Sequence, residues 1–259
     1  MPFAELSNVR TYYELAGDSS LPVLAFSHSL GVNHSMWDPQ LAPLTPHFRL
    51  LRYDIRGHGQ SSAPEGPYSV NDLGRDLVDL LDALNIQQAN FCGLSMGGAI
   101  GQWLGLYAPN RITRLILSNT AAKFGVTETW NARIATVLQN GLEPIVQGTM
   151  ERWFTPEFRV THSDVVQSTA AHLQSNSVSG YVGCCAAVRD TDFRESVFGI
   201  KTPTLVITGT SDPVTPPVDG QFLANNIPKS NYVELPAAHL SSVEVPDQFS
   251  RALLAFLRP

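Results

Sequence analysis

The chain lacks what several protein classes need. It has only three cysteines in 259 residues, too few for a disulfide framework. No run of Lys and Arg occurs, and the formal net charge is −6, so no nucleic-acid partner is expected. No stretch approaches the ~18–20 continuous apolar residues of a membrane helix. The opening Met1-Pro2-Phe3-Ala4-Glu5 has neither the basic region nor the long apolar core of a secretory leader. No repeat or low-complexity segment breaks the chain. These absences lead to the expectation of a compact cytoplasmic protein with no membrane association, and they say nothing of its oligomeric state. Cys92 lies in an apolar run, while Cys184 and Cys185 are adjacent; all three are expected as reduced thiols.

Apolar residues make up 43% of the chain, which suits a buried core. Short apolar runs at 9–15, 22–27, 48–53, 89–92, 114–118, 204–208 and 232–235 predict strands. Leu73, Leu77, Leu80, Leu81 and Leu84 fall at helical spacing, with Ser69 or Asn71 as the cap, and 247–257 repeats that pattern. Strands alternating with helices predict an α/β fold with a mostly parallel central sheet flanked by helices. Residues 122–198 lack strand character but contain helix-like stretches at 128–140, 142–153 and 164–176. The expected organisation is therefore a core of 1–121 and 199–259 with a helical cap inserted at 122–198.

The most pointed motif is Gly93-Leu94-Ser95-Met96-Gly97, between a strand and a helix. A serine on that sharp turn needs small neighbours on both sides, and it presents its hydroxyl at the carboxyl edge of the sheet. A serine nucleophile needs a base, and the base needs an acid to orient it. His239 and Asp212 each follow a late strand, so Ser95, Asp212 and His239 are the catalytic candidates. Oxyanion donors are expected from the backbone N–H groups of Met96 and of Leu30, in the loop His28-Ser29-Leu30-Gly31. His28 and His58 are expected to organise loops. His34, His47, His162 and His172 have no strand-end placement and read as surface or cap residues. Asp54 is expected to cap a turn or pair with Arg56. No cluster has metal-ligand spacing, and no cofactor is expected.

These residues resemble the α/β-hydrolase superfamily across nearly the whole chain. Tyr53-Asp54-Ile55-Arg56-Gly57-His58-Gly59-Gln60-Ser61 is similar to its Asp-x-Arg-Gly-x-Gly-x-Ser loop. The oxyanion loop departs from the usual His-Gly-x-Gly by having Ser29 at the first glycine. A closer resemblance is to the 3-oxoadipate enol-lactonases, carried by Met36-Trp37, Ser118-Asn119-Thr120-Ala121-Ala122 and Arg152-Trp153-Phe154-Thr155. That resemblance implies hydrolysis of an anionic small-molecule lactone through an acyl-enzyme, in aromatic-compound catabolism. The substrate carboxylate would need a cation. Arg133 is the first candidate, with Trp130 on the pocket wall and Arg152 and Arg189 in reserve; pairing of Arg133 with an acid such as Glu128 is the competing expectation. Trp153 and Phe154 are expected to pack the cap. A carboxylesterase, a C–C hydrolase of ring-cleavage products, and a ligand sensor without turnover stay open as alternatives. A dehalogenase is disfavoured, because its nucleophile position carries aspartate.

Overall fold

The computed structural model describes residues 3–257. Met1 and Pro2, which belong to the stretch judged not to be a leader, lie outside the described residues. In chain order the strands are β1 (Phe3–Glu5), β2 (Arg10–Ala16), β3 (Val23–Ser27), β4 (Arg49–Tyr53), β5 (Ala89–Leu94), β6 (Ile112–Ser118), β7 (Thr204–Gly209) and β8 (Ser230–Leu235). They form one sheet in the order β1-β2-β4-β3-β5-β6-β7-β8. β1 and β2 run antiparallel to their neighbours, and every pairing from β4 onward is parallel. Residues in β5 and β7 are buried throughout, as expected of strands covered on both faces.

The helices of the first half are α1 (Leu41–Leu44), α2 (Val70–Ala83) and α3 (Met96–Tyr107). Ser69, not Asn71, caps α2, in a reciprocal capping box with Asp72. Its buried face carries Leu73, Leu77, Leu80 and Leu81. α3 is apolar almost all round and lies against β5 and β6, buried over most of its length.

Between β6 and β7 the described chain makes five α-helices: α4 (Thr127–Asn140), α5 (Glu143–Trp153), α6 (Pro156–Thr161), α7 (Ser163–Ser175) and α8 (Val178–Asp190). α6 and α8 had no counterpart among the expected elements. The two ends of this stretch meet: Phe193 N–H donates to Ala122 O at 2.8 Å, and Lys123 bridges Asp192. The chain closes with α9 (Pro217–Asn226), α10 (Ser241–Glu244) and α11 (Pro246–Leu257). Among the described residues no helix is long and apolar enough to cross a membrane.

The parallel register sets up the site. Ser27 is level with Gly93, Leu94 with Ser118, and Ser118 with Ile207. The chain therefore leaves β3, β5, β6 and β7 at nearly one height, where ligands bind in such sheets.

Candidate active site

Ser95 sits between β5 and α3 with φ 58° and ψ −113°, a conformation that side-chain-bearing residues rarely adopt. Its N–H donates to Ser118 O at 2.9 Å, and Ser95 O accepts from the Thr120 hydroxyl at 2.8 Å. The flanking glycines are required by close approach. A Cβ on Gly93 would lie 2.0 Å from Gly97 O, and one on Gly97 would lie 2.1 Å from Ser27 O. The turn can fold only because both are bare.

His239 follows β8 and is 1% exposed. Its Nδ1–H donates to Asp212 Oδ2 at 2.8 Å, which leaves Nε2 for the cavity. Asp212 is held by more than the histidine. Oδ1 accepts from the N–H groups of Val214 and Thr215 at 2.8 and 3.1 Å. Oδ2 also accepts from Thr215 Oγ1 at 2.8 Å and Asn119 Nδ2 at 3.0 Å. Burial pushes the Asp212 carboxyl up, but the His239 charge and these donors outweigh it, so its pKa lies below the ordinary carboxylate value. An ionised, fully bonded Asp212 fixes the tautomer of His239 and can stabilise an imidazolium.

Asn119 and Thr215 had no place in the catalytic reading of the sequence. Asn119 follows β6 at φ 42°, a region that asparagine tolerates better than most residues. Its Oδ1 accepts from the hydroxyls of Ser118 and Ser241, and its Nδ2 also donates to Ala238 O. The available signal was an asparagine placed one residue beyond a parallel strand.

The loop after β3 is wired so that one amide is left over. Ser29 N–H points at Met36 Sδ at 3.4 Å, and Gly31 N–H donates to His58 Nε2 at 2.9 Å. Leu30 N–H, between them, has no acceptor among the described residues, and neither does Met96 N–H at the start of α3. His28 and His58 are loop organisers, as expected. His28 donates from Nδ1 to Ser29 O and accepts Ile55 N–H on Nε2. Burial pulls the pKa of His28 down to about 4 and that of His58 to about 3, so both rings are neutral.

Three expectations need correction. Arg56 pairs not with Asp54 but with Asp76, through Nε at 2.6 Å and Nη2 at 2.5 Å. Asp54 caps its turn through Gln60 N–H, and its other partner is His34, whose N–H and Nδ1–H both reach Oδ1. His34 is therefore an inward-facing partner of a buried acid rather than a surface residue. Arg189 binds Asp190 and Asn131 and does not line the cavity.

That cavity has a volume of about 490 Å³. Ser29, Leu30, Ser95 and His239 form the sheet-edge wall; Trp130, Arg133, Arg152 and Trp153 form much of the helical wall. Ser95 Oγ and the His239 ring share the cavity without a direct hydrogen bond, a contact that commonly tightens only with substrate. Arg133 donates from Nε to Tyr181 OH at 2.7 Å and from Nη2 to Thr149 Oγ1 at 3.1 Å. Among the described residues it pairs with no carboxylate, Glu128 included. Arg152 stands exposed at the mouth, and partial desolvation and the charge of Arg133 lower its pKa. Trp130 is steadied by Nε1–H to Phe124 O at 2.7 Å. Trp153 lines the cavity and does not only pack the helices, whereas Phe154 is stacked on Phe158. Cys92, Cys184 and Cys185 are buried free thiols; burial raises the pKa of each.

A serine on a strained strand-to-helix turn, a buried acid–histidine pair and a strand order of this kind define a class, and the sequence comparison agrees. Residues 22–246 match the family model described as alpha/beta hydrolase fold. The chain belongs to that family and is a hydrolase. Within it, the chain is 44% identical to 3-oxoadipate enol-lactonase 2 of Acinetobacter baylyi, over 97% of this chain and 94% of the relative. Among solved structures, an enol-lactonase from Burkholderia xenovorans is 40% identical with a TM-score of 0.97, covering 99% of each chain. A hydrolase from Pseudomonas aeruginosa is 46% identical, also with a TM-score of 0.97, over 99% of this chain and 98% of its own.

Proposed function

We propose that this protein hydrolyses the enol-lactone of 3-oxoadipate to 3-oxoadipate, a step in the catabolism of aromatic compounds by the β-ketoadipate route. The observation that carries the reading is the pair of guanidinium groups, Arg133 and Arg152, facing the cavity of Ser95 and His239 with no carboxylate partner among the described residues. In a chain of net charge −6, a local pair of unneutralised cations favours an anionic ligand. The names of the relatives supply the lactone.

Ser95 Oγ attacks the lactone carbonyl while its proton passes to His239. The oxyanion meets the N–H groups of Leu30 and Met96, each such donor being worth about 3 kcal/mol in the transition state. Collapse breaks the ring C–O bond and expels an enolate, a weaker base than an alkoxide; protonation by the His239 imidazolium gives the ketone and returns His239 to its neutral form. The leaving group stays attached through the acyl chain, so no first product departs before water, activated by His239, attacks the acyl-enzyme. Arg133 holds the free carboxylate, Trp130 walls the ring, and Arg152 guides the anion in. We read residues 122–198 as a cap on the core of 1–121 and 199–259, in keeping with the joined ends of that stretch. Three unpaired thiols suit a cytoplasmic setting.

The test is loss of enol-lactone ultraviolet absorbance with the purified protein and with Ser95→Ala. Turnover by the parent and a drop of at least ~10⁴-fold in kcat for the variant are expected. Fast hydrolysis of aryl esters with no lactone turnover would make it an esterase instead, and tight lactone binding without turnover a sensor.

A further inference from the structure

Next to the relay stands a carboxylate that the chemistry above does not use. Glu244 ends α10, close to His239 in sequence. Its Oε2 accepts from Ala238 N–H at 2.8 Å. Its Oε1 accepts from Thr155 N–H at 3.1 Å and from the Thr155 hydroxyl. These donors are two peptide groups and one alcohol, none of them a cation. The carboxylate thus ties the residue before His239 to the junction of α5 and α6.

The other flank of His239 is tied to the same junction. Leu240 N–H donates to Trp153 O at 3.1 Å. Ala238 O is meanwhile held by Asn119 Nδ2 at 3.1 Å. The peptide groups on both sides of the histidine are therefore fixed by residues 153–155 of the helical stretch and by the end of β6. Of these ties, the one through Glu244 rests on a single side chain whose two oxygens hold two different segments. Only a carboxylate can accept from Ala238 and Thr155 at once through two oxygens.

We propose that Glu244 is a positioning residue that couples the cap to the base, setting His239 in line with both Asp212 and Ser95. The proposal rests on His239 acting as the base. Its physical content is that a relay working across two hydrogen bonds tolerates little displacement, a shift of about 1 Å costing on the order of 100-fold. In Glu244→Gln the amide keeps one acceptor and turns its NH₂ toward a donor, so the clamp is half lost. In Glu244→Ala two peptide N–H groups lose their acceptor.

The experiment measures kcat, KM, the pH profile of kcat/KM and Tm on p-nitrophenyl acetate, an acyl substrate that needs the base whatever the natural lactone is. Glu244→Gln and Glu244→Ala are compared with the parent and with His239→Ala. The expected result is a fall in kcat of roughly 10-fold for Gln and roughly 100-fold for Ala, with KM within about threefold. A misaligned Asp212 stabilises the imidazolium less, so the acid limb of the profile should move to lower pH in both variants. An unchanged kcat and acid limb in Glu244→Gln, with only a lower Tm, would overturn the proposal and leave Glu244 a structural tie. Should Glu244→Ala not fold, the near-isosteric Gln variant decides alone. Full activity in His239→Ala would overturn the assignment of the base, and the proposal with it.

Discussion

The two walls of the cavity are held in opposite ways. On the sheet-edge wall, the polar groups behind Ser95 and His239 are saturated: Asp212 takes five donors, and the amides either side of Leu30 are both engaged. On the helical wall, Arg133 keeps Nη1 without a described partner, and Arg152 makes no hydrogen bond or ion pair with described residues. Saturation preorganises dipoles, which lowers a barrier without reorganisation at the moment of reaction. Unspent charge is available to a ligand. Substitutions on the first wall should therefore change kcat, and those on the second should change KM.

The sharpest way to break this contrast is Asp212→Asn. The amide would turn a donor toward Asn119, Thr215 or His239, and the ring would lose the acceptor that fixes its tautomer. A fall of about 10⁴-fold in kcat with an intact circular dichroism spectrum is expected; a loss below tenfold would mean that the saturated wall is not what drives the chemistry. Next in size is Arg133→Ala. KM for the lactone should rise roughly 10- to 100-fold while kcat stays within about threefold. An equal loss in both parameters would show that the arginine acts in the transition state and that the walls are not separable.

The smallest expected effect concerns pH and stability. His28 and His58 titrate near 6.5 when unfolded but at about 4 and about 3 when folded, chiefly because they are buried. Below pH 6.5 the unfolded chain binds protons that the native loops refuse. The stability these rings contribute is thus complete above 6.5 and is lost as pH falls toward their folded values. His58→Gln can still accept from Gly31 N–H but does not titrate. Its Tm should decline less steeply than the parent's between pH 6.5 and 4, with His28 leaving part of the slope. Parallel Tm curves would show that the saturated loop carries no such linkage.

Much of the placing of residues on the sheet-edge wall was legible because its logic is local. Gly93 and Gly97 around Ser95 and the strand-end placing of Asp212 and His239 all follow from short patterns in a parallel sheet. The Asp76 partner of Arg56, the His34 partner of Asp54, and the Asn119 and Glu244 ties were not legible. Each joins segments far apart in sequence, and nothing in either segment names the other. α8 was missed for a related reason. Gly180 and Gly183 weaken a helical pattern, and the helix is held by burial of Tyr181, Cys184 and Cys185 against the rest of the molecule.

By itself the sequence determined where a nucleophile could stand, since only bare glycines allow the turn that exposes Ser95. It also determined that Asp212 and His239 would follow successive strands along the sheet. The tertiary structure decided which charges are spent and which are left free. That depends on distances between side chains brought together by folding: Arg56 is neutralised by Asp76, Arg189 by Asp190, and among the described residues neither Arg133 nor Arg152 has an ion pair. Charge becomes available for binding only where packing withholds a partner, and no reading along the chain measures that.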